Sequence, residues 1–149
     1  MTRVDFYILQ DVDWNAACRF ACRLAVKAVG SGNRVHMHTD DVDAAADLDD
    51  LLWNYPEHRF LPHVREDDPA SGGNTVPAAP VVLGWSLPAA PDGVLINLAS
   101  EIPTFFGRFE RVAEIVVDEN RATGRARYKF YRDRGYPLHH HQLDEWETA

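Results

Sequence analysis

An α/β architecture with a mainly parallel sheet follows from three features of this 149-residue chain. Short apolar runs alternate with amphipathic stretches in the order strand, helix, strand, helix. Two later runs, 81–85 and 94–98, are continuously apolar, as strands covered on both faces require. The composition, 46% hydrophobic and 26% charged, supplies a core for a soluble domain and argues against wholesale disorder. The length suits one domain over residues 1–149, since about 150 residues is the usual size. The expected arrangement is three-layer α/β/α around five strands, with a polar tail after about residue 136 as a flexible end.

Residues 4–9 are mostly β-branched, aromatic or apolar and form the first expected strand. In 14–29, Trp14, Cys18, Ala21, Cys22, Ala25 and Val29 recur at spacings of three and four, which predicts a helix with one apolar face. Gly30-Ser31-Gly32 stops it, because glycine accepts the left-handed conformation beyond a helix end. Residues 34–38 are a second strand. Asp40 or Asp41 then caps a helix that buries Ala44, Leu48, Leu51 and Leu52, turns Asp43, Asp47, Asp49 and Asp50 to water, and ends at Tyr55-Pro56. Residues 65–80, with Gly72-Gly73 and several prolines, predict a long surface loop. After the strands at 81–85 and 94–98, a short helix can start at 103–108. A fifth strand follows at 114–117, and a last helix runs from a cap at Asp118 to about Arg134, where Gly135 ends it.

The chain lacks the signatures of the commonest α/β chemistries. A dinucleotide fold needs a glycine-rich turn after its first strand. Here that turn is Gln10-Asp11-Val12-Asp13, with two carboxylates that would repel phosphate. Gly30-x-Gly32 lies at the other edge of the sheet, and no phosphate-loop sequence occurs. His36 and His38 share a strand face and could chelate a metal. Without a cysteine pair or zinc-type spacing, however, they are read as lining the solvent side of an edge strand. Cys18 and Cys22, one helical turn apart, are read as core residues, not as ligands or a redox pair. No nucleophile elbow and no isolated acid/base pair is present, so no catalytic residue, metal or cofactor is assigned. No apolar run reaches membrane-spanning length, and the N-terminus, with Asp5 early, lacks a signal-peptide core; a cytoplasmic location is expected.

The formal net charge of −8 argues against nucleic-acid binding by the whole surface. One segment breaks that pattern. Residues 121–134 hold Arg121, Arg125, Arg127, Lys129, Arg132 and Arg134 against a single Asp133, a charge of +5 that leaves −13 elsewhere. On a helix, Arg121, Arg125, Tyr128, Lys129 and Arg132 share one arc of about 100°, while Ala122, Ala126 and Phe130 turn to the core. A basic face near a helix C-terminus can be simply solvated and favoured by the dipole. With Tyr128 among the cations, it can also bind an acidic peptide with an aromatic end, or single-stranded nucleic acid by stacking and phosphate contact.

Asp5-Phe6-Tyr7-Ile8-Leu9, then Leu52-Trp53 followed by Pro56 and Phe60-Leu61-Pro62-His63, then Arg127-Tyr128-Lys129-Phe130-Tyr131-Arg132 resemble, in order and spacing, the chi subunit family of bacterial DNA polymerase III. The likeness runs from about residue 4 to 136 and is poor in 65–80 and in the tail. It implies a Rossmann-like fold without a nucleotide and a noncatalytic accessory role in DNA replication. The family pairs with the psi subunit, which attaches it to the clamp loader. It also binds the acidic, phenylalanine-terminated tail of single-stranded-DNA-binding protein, so that nucleic acid is reached only indirectly. The tail-binding residues carried over are Arg125, Tyr128 and Lys129, with Val116 or Val117 as apolar neighbour; Arg121 and Arg132 extend the same basic face. The psi contact carries over to Trp53 and Phe60. The alternatives are a small flavodoxin-like nucleotide-binding enzyme and a direct single-strand binder.

Overall fold

In the computed structural model, which describes residues 2–10, 12–54, 61–68, 79–88 and 91–143, β1 (Arg3–Leu9) leads through α1 (Trp14–Gly30) to β2 (Val35–His38). From there α2 (Val42–Asn54) leads to β3 (His63–Arg65), β4 (Val81–Gly84), β5 (Val94–Asn97) and β6 (Arg111–Val116). Last come α3 (Arg121–Asp133) and β7 (Leu138–Leu143). Among the described residues the strands form one sheet in the order β3-β4-β2-β5-β6-β1-β7, and every pair is parallel. The chain moves one way along the sheet from β1 to β2 and the other way from β6 to β7. Right-handed crossovers therefore put α1 and α3 on opposite faces.

All five expected strands are present, and two more join them. β3 has only three residues, too few to display a period. β7 corrects the reading of the tail: Leu138-His-His-His-Gln-Leu143 pairs with β1 from Val4↔Leu138 to Leu9↔Leu143. An outermost strand is held by main-chain bonds and can keep polar side chains, so its sequence lacks the apolar alternation of an inner strand. Tyr55-Pro56, most of the 65–80 loop and the chain after 143 lie outside the described residues.

Local chemistry fixes the helix ends. Asp13 Oδ1 accepts the Ala16 N–H at 3.1 Å, and Asp41 Oδ1 accepts the Ala44 N–H at 2.9 Å. Each satisfies one of the free donors of a first turn. Beyond α1 the turn is made by Gly32, at φ +89°, a conformation that favours glycine.

Ala17, Phe20, Ala21, Cys22 and Ala25 of α1 and Ala45, Leu48 and Leu52 of α2 pack over Met37, Leu83, Ile96 and Ile115 on one face of the sheet. Burial pushes the Cys18 thiol up to about 11 and the Cys22 thiol up to about 12, so neither is a thiolate at neutral pH. Asp49 departs from its expected place in water and accepts from His63 Nε2 at 2.7 Å. On the opposite face, Val4, Phe6, Leu95, Phe106, Val112 and Tyr131 pack together beneath α3.

His36 and His38 are not on an edge strand. β2 lies between β4 and β5, and the two residues are 3% and 7% exposed. Their Nε2 and Nδ1 atoms stand 3.3 Å apart, with Phe105 against both rings. A polar residue in a central parallel strand mimics the pattern of an exposed edge, which is why the alternation misled.

Candidate functional site

The last helix is set by contacts no apolar pattern encodes. After β6, Asn120 Oδ1 accepts the Val117 N–H at 2.8 Å and its Nδ2 donates to Ile115 O at 3.1 Å, closing the turn into α3. Gly124 then faces Val116 so closely that an added Cβ would lie 2.8 Å from Val116 Cγ2. Arg127 is the next inward residue. Its Nη1 donates to Glu114 Oε1 and its Nη2 to Ala99 O, each at 2.8 Å. Tyr131 is completely buried and donates to Glu114 Oε2 at 2.7 Å, while Asn97 Nδ2 donates to the same oxygen at 3.0 Å. Burial, reinforced by Glu114, holds the Tyr131 hydroxyl far above the ordinary phenol range. The expected inward face is therefore corrected. Ala122 and Ala126 are exposed, and the helix seats on Gly124, Arg127 and Tyr131, with Phe130 half-buried against Phe106.

The outward cations divide into engaged and uncommitted. Arg121 binds Asp118 at 2.7 Å, Arg132 binds Asp133 at 3.3 Å, and the Arg134 guanidinium lies 3.6 Å over the Phe130 ring. Arg125 and Lys129 are exposed and form no ion pair among the described residues. Between them stands half-buried Tyr128, its ring 5.6 Å from Phe6 and 4.9 Å from His140. Val116 is partly buried in the cluster that includes Tyr128. Val117 lies in the core on the other face. Arg125, Tyr128, Lys129 and Val116 thus share one surface, and Val117 does not. His140 belongs to that surface too. Only the register of β7 reveals it, because three consecutive histidines carry no facing information until the strand is placed.

Trp53 is at the end of α2, 61% exposed, with its ring 5.2 Å from His63 of β3. α2 packs on β3 and β4 whereas α3 packs on β6, so Trp53 and the basic helix occupy distant ends of the sheet. Phe60 lies outside the described residues.

The crevice where α/β proteins usually seat a ligand is filled by carboxylates. Asp13 takes the Ala16 N–H, and Glu119 Oε1 takes the Trp14 N–H at 2.8 Å. The adjoining cleft is lined by Val12, Asp13, Ala16, Arg19 and Asp118. A phosphate at this helix start would meet negative charge in place of free N–H groups. Among the described residues no three His, Cys, Asp or Glu side chains are placed to hold a metal ion, and no helix is long and apolar enough to cross a membrane.

The described residues define a parallel α/β scaffold with an exposed basic helix face at one side of the sheet and an exposed tryptophan at the other. A family model described as DNA polymerase III chi subunit, HolC, matches residues 1–139. The chain is 41% identical over 146 residues to the DNA polymerase III subunit chi of Pseudomonas aeruginosa, covering 96% of this chain and 98% of that one. It is 31% identical to the Escherichia coli subunit chi, covering 93% and 96%, and 29% identical to that of Haemophilus influenzae, covering 89% and 92%. The chain belongs to the DNA polymerase III chi subunit family, and its role is an accessory one in DNA replication.

Proposed function

We propose that this protein is a noncatalytic, cytoplasmic link within the replication machinery. One surface, around Trp53 and Phe60, attaches to a psi subunit and through it to the clamp loader. The other, formed by Arg125, Tyr128 and Lys129 beside Val116, holds the acidic, phenylalanine-terminated tail of single-stranded-DNA-binding protein. The observation that carries the second part is the state of the cations: Arg125 and Lys129 are exposed and unpaired among the described residues, flanking a half-buried tyrosine. Arg125 and Lys129 are one helical turn apart, so both reach carboxylates of one short peptide. Arg125 can grip a terminal carboxylate bidentately, and Tyr128 with Val116 forms an apolar wall for the terminal ring. With two unpaired cations among the described residues and a charge of −13 outside residues 121–134, the surface suits a short acidic peptide better than a nucleic-acid backbone, which needs a longer positive groove.

Isothermal titration with a synthetic tail peptide tests this. Arg125→Ala and Lys129→Glu should each weaken binding by about 1–3 kcal/mol, the worth of a charge-assisted hydrogen bond. Removing the terminal phenylalanine should abolish most of the heat. If both variants bind as wild type does, the site is elsewhere. Tight, steeply salt-dependent binding of a bare oligonucleotide would favour direct single-strand binding instead.

A further inference from the structure

We infer that His140 is a third, proton-dependent ligand of the acidic peptide, which makes the affinity of this site rise as pH falls through the imidazole range; the inference rests on the tail-binding reading above. β7 places His140 opposite Phe6 of β1. From there its ring meets Tyr128 at 4.9 Å and Phe6 at 6.3 Å. Phe6 is 2% exposed and forms the floor of this aromatic group, while His140 is exposed. A peptide lying against Tyr128 and Lys129 therefore lies against the His140 ring as well.

The charges around this ring decide its behaviour. From α3 it faces Tyr128, on an arc that also carries the exposed cations Arg121, Arg125, Lys129 and Arg132. From β1 it faces the neutral Phe6. Glu114 of β6 shares this face of the sheet but is 1% exposed and already bonded to Arg127 and Tyr131. Asp5, with Arg3, Arg111 and His141 around it, lies on the opposite face. The exposed carboxylates beside this basic face, Asp118 and Asp133, are paired with Arg121 and Arg132, and His140 has no ion-pair partner among the described residues. An acidic peptide supplies what is missing, so binding and protonation favour one another. Such coupling must appear as a proton taken up on binding.

The probe is a synthetic aspartate-rich peptide ending in a free phenylalanine, whose carboxylates stay ionised above about pH 5.5. Affinity should rise about 3–10-fold between roughly pH 8 and pH 5.5, since a shift of one pKa unit corresponds to a tenfold change. At intermediate pH, calorimetry in two buffers of different ionisation enthalpy should show net proton uptake. His140→Asn should remove both effects, and His140→Lys should hold the affinity near its acid limit at every pH. His139→Asn is the control, since strand alternation turns that residue to the other face, and it should leave both effects intact. If His140→Asn keeps the wild-type pH slope and proton uptake while Lys129→Glu still weakens binding, this inference fails and the tail-binding site stands. If the wild-type protein ignores the peptide at every pH, both fall together.

Discussion

The guanidinium of Arg127 sits 2.8 Å from the carboxylate of Glu114, with 10% and 2% of the two side chains exposed. This pair joins the middle of α3 to β6, and Ala99 O, Asn97 and the Tyr131 hydroxyl complete its hydrogen bonding. It makes the inner face of a basic helix partly ionic, while Arg125 and Lys129 on the outer face stay available.

Breaking that pair should be severe. Arg127→Met leaves the Glu114 charge buried against only Asn97 and Tyr131, and the loss of one partner from a buried ion pair costs about 3–5 kcal/mol. Urea denaturation should show a matching fall in midpoint. A change under about 1 kcal/mol would mean that solvent reaches Glu114.

The helix was legible from sequence as a helix, but its seating was not. Ala122 and Ala126 look like core residues and are exposed, whereas Arg127 looks like surface and is 9% exposed. Hydrophobic periodicity ranks residues by polarity, so it cannot see an arginine that enters the core with its own counter-ion. The same limit hid His36 and His38 in the centre of the sheet and β7 at its edge. The apolar strands, α1 and α2 needed only local spacing and were read correctly. The separation of Val116 from Val117 depends only on strand alternation, yet it shows once β6 is known to extend through Val116.

Gly124→Ala sets two effects against each other. Alanine favours a helix by about 1 kcal/mol, but its Cβ would lie 2.8 Å from Val116 Cγ2 and 3.2 Å from Cγ1. A β-branched side chain has little freedom to turn away, so overpacking at about 1–3 kcal/mol should win. Thermal melting should drop in the single variant and recover in part when Val116→Ala is added. A raised melting temperature for Gly124→Ala alone would show that the helix shifts freely over β6.

Acid should destabilise the protein through His36. Burial, with His38 adding to it, holds this imidazole down at about 3, against roughly 6.5 in an unfolded chain. Burial lowers His38 too, against the pull of Asp40 and Glu66. Above about pH 6.5 both states carry a neutral imidazole and the effect vanishes. Between about 6.5 and 3 the unfolded state binds more protons, so stability falls as pH falls, by up to about 1.4 kcal/mol per unit for one such group. Urea midpoints across that window should trace the slope, and His36→Phe should flatten it. An unchanged slope in the variant would assign the acid sensitivity to carboxylates.

Arg121→Ala and Arg132→Ala should leave peptide affinity within about twofold of wild type, unlike Arg125→Ala and Lys129→Glu. Each of the first two cations is already neutralised by a neighbouring aspartate, and exposed pairs of this kind contribute about 0–1 kcal/mol. A loss equal to that of Lys129→Glu would extend the site along the whole helix.

Trp53→Ala should change the stability of the isolated protein by no more than about 0.5–1 kcal/mol, since 61% of the residue is exposed. Binding to a psi subunit, followed by titration, should weaken by at least about 2 kcal/mol if the indole anchors the interface. A large drop in melting temperature would make Trp53 a structural residue instead.

The order of strands has a consequence for synthesis. β1 is made well before either of its neighbours, with Arg3 opposite Arg111 and Val4 opposite Leu138. At about 5–20 residues per second, the first strand waits roughly 5–20 s on the ribosome before β6 emerges, and longer for β7. Until then Val4, Phe6 and Leu9, all within 2% of full burial in the finished sheet, have no partner strand. The basic helix connects those two later strands, so the surface assigned to the peptide is completed only after β1 has waited for both of its neighbours.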